Sequence, residues 1–125
     1  MPVGIVTNAP APHLETAGFL PHEIAQLAVV TRTEMGDDHM KPDKKGMDLV
    51  VEKLQEMHGV QILRQHSLYV GDTIGDMGFA LNGEVAPVGV LSGMGLEAHL
   101  RSVAPEKVKI SEDLPTLVGR LLLRP

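Results

Sequence analysis

The chain has 125 residues and a mass of 13.4 kDa, one domain's worth of polypeptide, and its 43% hydrophobic content is enough for a real core. The formal charge is −5, from 11 basic against 16 acidic residues, and there are only two Phe, one Tyr and no Trp, so neither a basic phosphate-tracking stripe nor a base-stacking platform is expected and nucleic acid is a poor partner. There is no cysteine, which excludes disulfide scaffolds, thiolate zinc sites and cysteine nucleophiles.

No apolar run approaches the ~18 residues of a membrane span. The first residues do not read as a signal peptide, and a cytoplasmic protein is expected. The scarcity of rings predicts an aliphatic core of Val, Leu, Ile, Met and Ala. The six histidines are scattered, with no H-x-H or H-E-x-x-H grouping.

Pro2–Thr7 is a short apolar run closed by Asn8, Pro10 and Pro12, and it predicts a buried strand ending at Thr7 or Asn8. His13–Phe19 reads as a short helix ended by Gly18. Leu27–Thr31 predicts a second buried strand. Thr33–Lys41 is polar and reads as a loop, with Asp37-Asp38-His39 solvated. Met47, Val50, Val51, Leu54 and Met57 then form one apolar stripe at helical spacing. Pro42 and Asp43 suit the start of that helix and Gly59 its stop, and Met47 and Met57 are expected as core fillers.

Ser67–Val70 predicts a third strand, leading into Gly71-Asp72-Thr73. A short helix carries Met77, Ala80 and Leu81 and stops at Asn82-Gly83. Val85–Leu91 predicts a fourth strand whose pairing starts late because of Pro87. Leu96, Leu100 and Val103 share a helix face ending before Pro105, and Val108–Ile110 is a short strand. Asp113 caps a last helix with the stripe Leu114, Leu117, Val118 and Leu121. Strands alternating with helices imply an α/β fold: a three-layer, Rossmann-like parallel sheet with helices on both faces, in a single domain over residues 1–125. Chemistry in such sheets sits at the carboxyl ends of the strands.

Polar groups at those ends are suggestive. Thr7 closes the first strand, and its hydroxyl can donate to a phosphoryl oxygen. Lys41, within Lys41-Pro42-Asp43, follows the second strand and is a point charge suited to phosphate. Asp72 and Asp76 follow the third strand as Gly71-Asp72-x-x-x-Asp76. Two carboxylates at that spacing suit Mg²⁺, which takes one or two carboxylates with waters and phosphate. The same two residues are equally readable as a helix N-cap at Asp72 with a solvated first-turn acid at Asp76. Taken together, a hydroxyl, an ammonium and a diacid after successive strands supply what phosphoryl transfer needs.

The order and spacing of these pieces resemble the haloacid dehalogenase-like (HAD) phosphatases, especially the phosphoglycolate phosphatase-like branch. The matching segments are Ile5-Val6-Thr7-Asn8, Val30-Thr31-Arg32 leading to Lys41-Pro42-Asp43, Leu68 to Asp76, Val88 to Gly95, and Asp113-Leu114-Pro115. The resemblance implies that Thr7 bonds the phosphoryl group, that Lys41 offsets charge there, that Asn8 lies beside the phosphate, and that Asp72 and Asp76 hold Mg²⁺. It also implies a small phosphorylated metabolite as substrate.

The departure is as specific. The family's first motif is D-x-D-x-T/V, whose first Asp is the nucleophile, and this sequence contains no D-x-D. The cap domain of the branch is absent as well. The expectation is therefore a core fragment, read from an internal start at Met1 and inactive alone, because covalent phosphoryl transfer needs an in-line nucleophile. The family's missing strand lies between those of Thr7 and Asp72, a gap of roughly 10 Å. Those two strands would pair directly, take a partner's strand or fray, and exposed edges would favour self-association.

Two other readings compete. One is a non-catalytic HAD-like binding or assembly domain. The other is dinucleotide binding through Gly93-Met94-Gly95-Leu96-Glu97-Ala98, which fits G-x-G-x-x-A, with Glu112 or Asp113 as the ribose-binding acid.

Overall fold

In the computed structural model, which describes residues 2–10, 27–91 and 97–122, the apolar runs become short parallel strands accompanied by helices. The result is a mixed α/β fold with two small parallel sheets. The chain divides into two compact units, Met1–Leu63 and Arg64–Pro125. The expected helix over 13–19 and the glycine fingerprint over 93–96 lie outside the described residues.

In the first unit, β1 (Gly4–Val6) pairs in parallel with β2 (Ala28–Val30), with Gly4 opposite Ala28 and Val6 opposite Val30. The stretch expected as a polar loop contains instead a helix, α1 (Arg32–Met35), and a 3-10 turn over Asp37–His39. The reason is local. The Glu34 carboxylate accepts hydrogen bonds from the Thr31 N–H and hydroxyl, both at 3.3 Å, the reach-back of a capping box. Met35, fully buried, then anchors this turn in the core. Helix α2 (Lys45–His58) packs on β1 and β2. It buries Met47, Val50 and Leu54, each worth about 1.5–3 kcal/mol when removed from water. Gly59 ends it in the left-handed region, at φ 63°, and donates its N–H to the Gln55 carbonyl at 2.9 Å. Met57, expected in the core, is 46% exposed, because it lies on the last turn, beyond the segment that faces the strands.

Lys53 binds the first unit together from the half-buried flank of α2. Its ammonium donates to the Val29 carbonyl at 2.6 Å and to the Glu34 carboxylate. One cation thus ties α2 to β2 and to the carboxylate that caps α1.

In the second unit, β3 (Leu68–Gly71), β4 (Ala86–Val90) and β5 (Lys109–Ser111) form one sheet in that order. Pairing of β4 with β3 begins at Ala86 and includes Pro87 opposite Tyr69. Pro87 is tolerated because strand N–H groups alternate sides. Ala86 donates to Ser67 on the β3 side, so the donor missing at Pro87 falls on the β5 side, where the register begins only at Val88. Helix α3 (Ile74–Asn82) packs on β3 and β4, α4 (Glu97–Arg101) packs on α3, and α5 (Leu114–Leu122) packs on β5. Met77, Leu100 and Val108 form a buried cluster against which Val103 and Ile110 pack.

The core is not wholly aliphatic. Phe79 is fully buried and meets Tyr69 edge to face, with ring centroids 4.9 Å apart, so two of the three aromatic residues of the chain pair at one spot. In the last helix, Leu117 is buried but Leu114 is exposed. The expected partners in that stripe, Val118 and Leu121, fall outside the described side chains. No helix among the described residues is long and apolar enough to cross a membrane.

Glu84, between α3 and β4, sits at φ 61°, a conformation that costs an L-residue about 1–2 kcal/mol. Glu84→Gly should therefore raise stability by about 0.5–1 kcal/mol after the entropy of glycine is subtracted. The check is the midpoint of denaturant unfolding, with an unchanged slope.

Candidate functional site

Thr7 and Asn8 extend β1 beyond its last regular residue. The Thr7 N–H bonds the Val30 carbonyl at 3.0 Å, and the Ala9 carbonyl accepts from the Arg32 N–H at 3.3 Å. Asn8 is therefore braced on both sides by bonds to the β2 segment. The Thr7 hydroxyl oxygen accepts from the Ala9 N–H at 3.1 Å. That bond uses a lone pair and not the hydroxyl proton, which remains a donor.

Asn8 reaches across 33 residues of sequence to Lys41. Its Oδ1 accepts from the Lys41 N–H at 2.8 Å, and its Nδ2 donates to the Lys41 carbonyl at 3.3 Å. The side-chain amide thus pairs with one residue's backbone as a neighbouring strand would. It brings Thr7, Asn8 and Lys41 into one locality at the carboxyl end of β1. The Lys41–Pro42 peptide is cis.

Asp43 completes this loop. Its Oδ1 accepts from the Lys45 N–H at 2.8 Å, at the start of α2, and its Oδ2 lies 3.2 Å from His39 Nδ1. The Lys45 N–H bond, then the His39 hydrogen bond, hold the Asp43 carboxyl below its ordinary range. Asp37, in the acidic loop, pairs with Arg32 at 2.8 Å on the surface.

In the second unit, Asp72 follows β3 directly and is half-buried. The cap of α3 is neither of the two acids. It is Thr73, whose Oγ1 accepts from the Asp76 N–H at 3.1 Å. Asp76 is buried, with 9% of its surface exposed, so it is not a solvated first-turn acid. Its Oδ2 accepts from the Asp72 N–H at 3.2 Å and from the Thr73 N–H at 3.3 Å. The signal was present in the sequence as Thr73-x-x-Asp76, a capping-box spacing with Asp in the third helical position.

Gly71 is what lets Asp76 approach. A Cβ at position 71 would lie 2.3 Å from the Asp76 Cβ and 2.6 Å from its Oδ2, closer than atoms of this kind pack. The glycine is needed for clearance at the strand end.

The donors at this turn are hard oxygens, the chemistry Mg²⁺ selects. The Asp72 carboxylate is of the donor type that Mg²⁺ takes. Asp76 spends Oδ2 on the backbone and so shapes the turn that presents Asp72. Among the described residues there is no group of three or more His, Cys, Asp or Glu placed to hold a metal ion. Asp113, the ribose-binding candidate, accepts from the Thr116 N–H at 2.8 Å as the cap of α5. Hydrogen bonds from the Thr116 side chain and backbone hold its carboxyl below the ordinary range.

Comparison with protein-family models, with curated proteins and with solved structures found no match. The HAD resemblance therefore rests on the motifs themselves.

Two outcomes are expected. Gly71→Ala should cost about 1–3 kcal/mol, the range for overpacking against an atom that cannot retreat, measured by chemical denaturation. For Asp43 and Asp113, a folded pKa below the ordinary 3.8 means stabilisation that is complete above that value and lost as pH falls through the lower folded one. Asp43→Asn with Asp113→Asn should lower thermal stability at neutral pH and flatten the acid limb of the profile below about pH 4, so that wild type and variant converge in acid.

Proposed function

We propose that residues 1–125 are the phosphate- and cation-holding part of a HAD-type, Mg²⁺-dependent phosphoric monoester hydrolase, built on a three-layer Rossmann-like core that lacks one strand. The substrate class is a small phosphorylated metabolite. The observation that carries the reading is the Asn8 amide paired with the backbone of Lys41 at 2.8 and 3.3 Å. It joins the hydroxyl-bearing and the lysine-bearing motifs, which the sequence keeps 33 positions apart. The Gly71-Asp72-x-x-x-Asp76 turn at the carboxyl end of a second parallel strand supports it further.

In this reading the Thr7 hydroxyl donates to a phosphoryl oxygen, and the Lys41 ammonium offsets the charge that builds up there. Asp72 holds Mg²⁺, and Asp76, through the Asp72 and Thr73 N–H groups, keeps Asp72 in place. When bound, Mg²⁺ supplies Lewis-acid neutralisation of phosphoryl charge. No residue of the chain takes the role of the family's nucleophilic Asp, so these groups stabilise charge without attacking phosphorus. A non-catalytic binding domain is the second reading, favoured by the absence of any D-x-D.

The purified chain should not hydrolyse p-nitrophenyl phosphate above background with Mg²⁺ present. A separately supplied segment carrying a β-strand and D-x-D-x-T should restore turnover. Failure of that segment to restore any turnover would favour the binding-domain reading. Robust hydrolysis by the chain alone, lost in Asp72→Ala, would overturn the assignment of roles.

The two acids should also separate in the metal experiment. In calorimetric titration with Mg²⁺, Asp72→Asn should lose binding while the bonds from the residue 72 and Thr73 N–H groups to Asp76 remain. Thr73→Ala should lose about 1 kcal/mol of stability by removing the cap of α3, and Asp76→Asn should lower the Tm as well. Equal Mg²⁺ binding by wild type and Asp72→Asn would remove Asp72 as the ligand.

A further inference from the structure

The resemblance sets Asn8 beside the phosphate, and its side chain pairs with the backbone of Lys41. A primary amide carries an oxygen acceptor and a nitrogen with two N–H donors. Here the oxygen and the nitrogen are bonded to the same residue, with Oδ1 to the Lys41 N–H and Nδ2 to the Lys41 carbonyl. Rotating the amide by half a turn would set donor against donor and acceptor against acceptor, so the pairing itself fixes the orientation.

We infer that Asn8 is a positioning residue, which acts by fixing the backbone of Lys41 so that its ammonium is presented beside Thr7, and not by contacting phosphate itself. The inference rests on the reading of Lys41 as the phosphate-binding cation.

Three observations make the arrangement effective. The Asn8 backbone is braced by the bonds from Thr7 to Val30 and from Arg32 to Ala9, which lie on either side of it. The Lys41 stem has a finite reach, so fixing the Lys41 backbone limits where its ammonium can be placed. Two residues further on, Asp43 ties the same loop to the first turn of α2 through the Lys45 N–H. The loop is thereby held to the strand at Lys41 and to the helix at Asp43.

The test uses the full chain and inorganic phosphate, read by NMR. In wild type, phosphate should shift the Lys41 Nζ and Cε signals and leave the Asn8 Nδ2 proton signals in place. In Asn8→Ala the Lys41 amide should exchange with solvent at least about tenfold faster, and phosphate should bind about tenfold more weakly, a factor worth about 1.4 kcal/mol. Asn8→Asp keeps an acceptor for the Lys41 N–H and should restore its protection. An unchanged Lys41 exchange rate in Asn8→Ala, or Asn8 Nδ2 signals that move with phosphate as the Lys41 signals do, would overturn the inference. If Asn8→Ala does not fold, the wild-type titration and Asn8→Asp still decide it. Lys41→Ala separates the two levels. Phosphate binding equal to wild type would sink the phosphate-site reading, while Lys41 exchange in the Asn8 variants would still report the backbone pairing.

Discussion

Short parallel strands leave backbone donors and acceptors at their carboxyl ends with no further rung to pair with, and a buried group of that kind left unpaired is costly. Four of the five ends described here are closed by a polar side chain, and after β4 the Leu91 N–H bonds the Ser111 and Glu112 carbonyls instead. Thr7 Oγ1 takes the Ala9 N–H, Asn8 takes the Lys41 peptide groups, and Glu34 takes the Thr31 N–H after β2. Asp76 takes two N–H groups after β3, and the Ser111 hydroxyl bonds the Asp113 carbonyl after β5. The candidate functional residues are drawn from this same set or lie next to it. The demand that strand ends be satisfied thus gathers reactive groups where ligands of parallel sheets bind.

That overlap divides the site residues into two kinds. Asn8 and Asp76 have polar atoms committed to the backbone, and both are half-buried or buried. Thr7 keeps a hydroxyl proton beyond the bond it accepts, Lys41 is held by its main chain, and Asp72 is held by its own N–H. The first kind builds the frame, and the second kind is held by it through the backbone. In the second unit Asp76 and Asp72 are joined through one turn, whereas in the first Asn8 adjoins Thr7 but reaches Lys41 across 33 residues.

What was legible in the sequence is what periodicity and turn chemistry encode. The Met47, Val50, Leu54 stripe and the Gly59 stop locate α2, and the apolar runs around Val6, Val29, Val70 and Val88 locate strands. Less was recovered where a local polar pattern overrides an apparent loop. Thr31-x-x-Glu34 and Thr73-x-x-Asp76 are both capping-box spacings, and reading them would have found α1 and assigned the cap of α3 to Thr73. Lys53 offers no such signal. A lysine on a helix flank reads as solvated, and its bond to the Val29 carbonyl spans 24 residues of sequence. The Asn8–Lys41 pairing and the Tyr69–Phe79 contact are hidden for the same reason: each depends on packing that no local window contains.

The turn after β3 has a consequence for electrostatic self-repulsion. Two carboxylates four positions apart at a strand end would push each other away, and a turn that relied on a counter-ion to quiet them would loosen whenever the ion left. Asp76 avoids this by facing two N–H dipoles that its own helix start supplies, with Gly71 giving up its side chain to make room. The charge that could oppose Asp72 is already answered from within the chain. The Asp76 carboxylate in this turn is consequently held by N–H groups of the polypeptide itself.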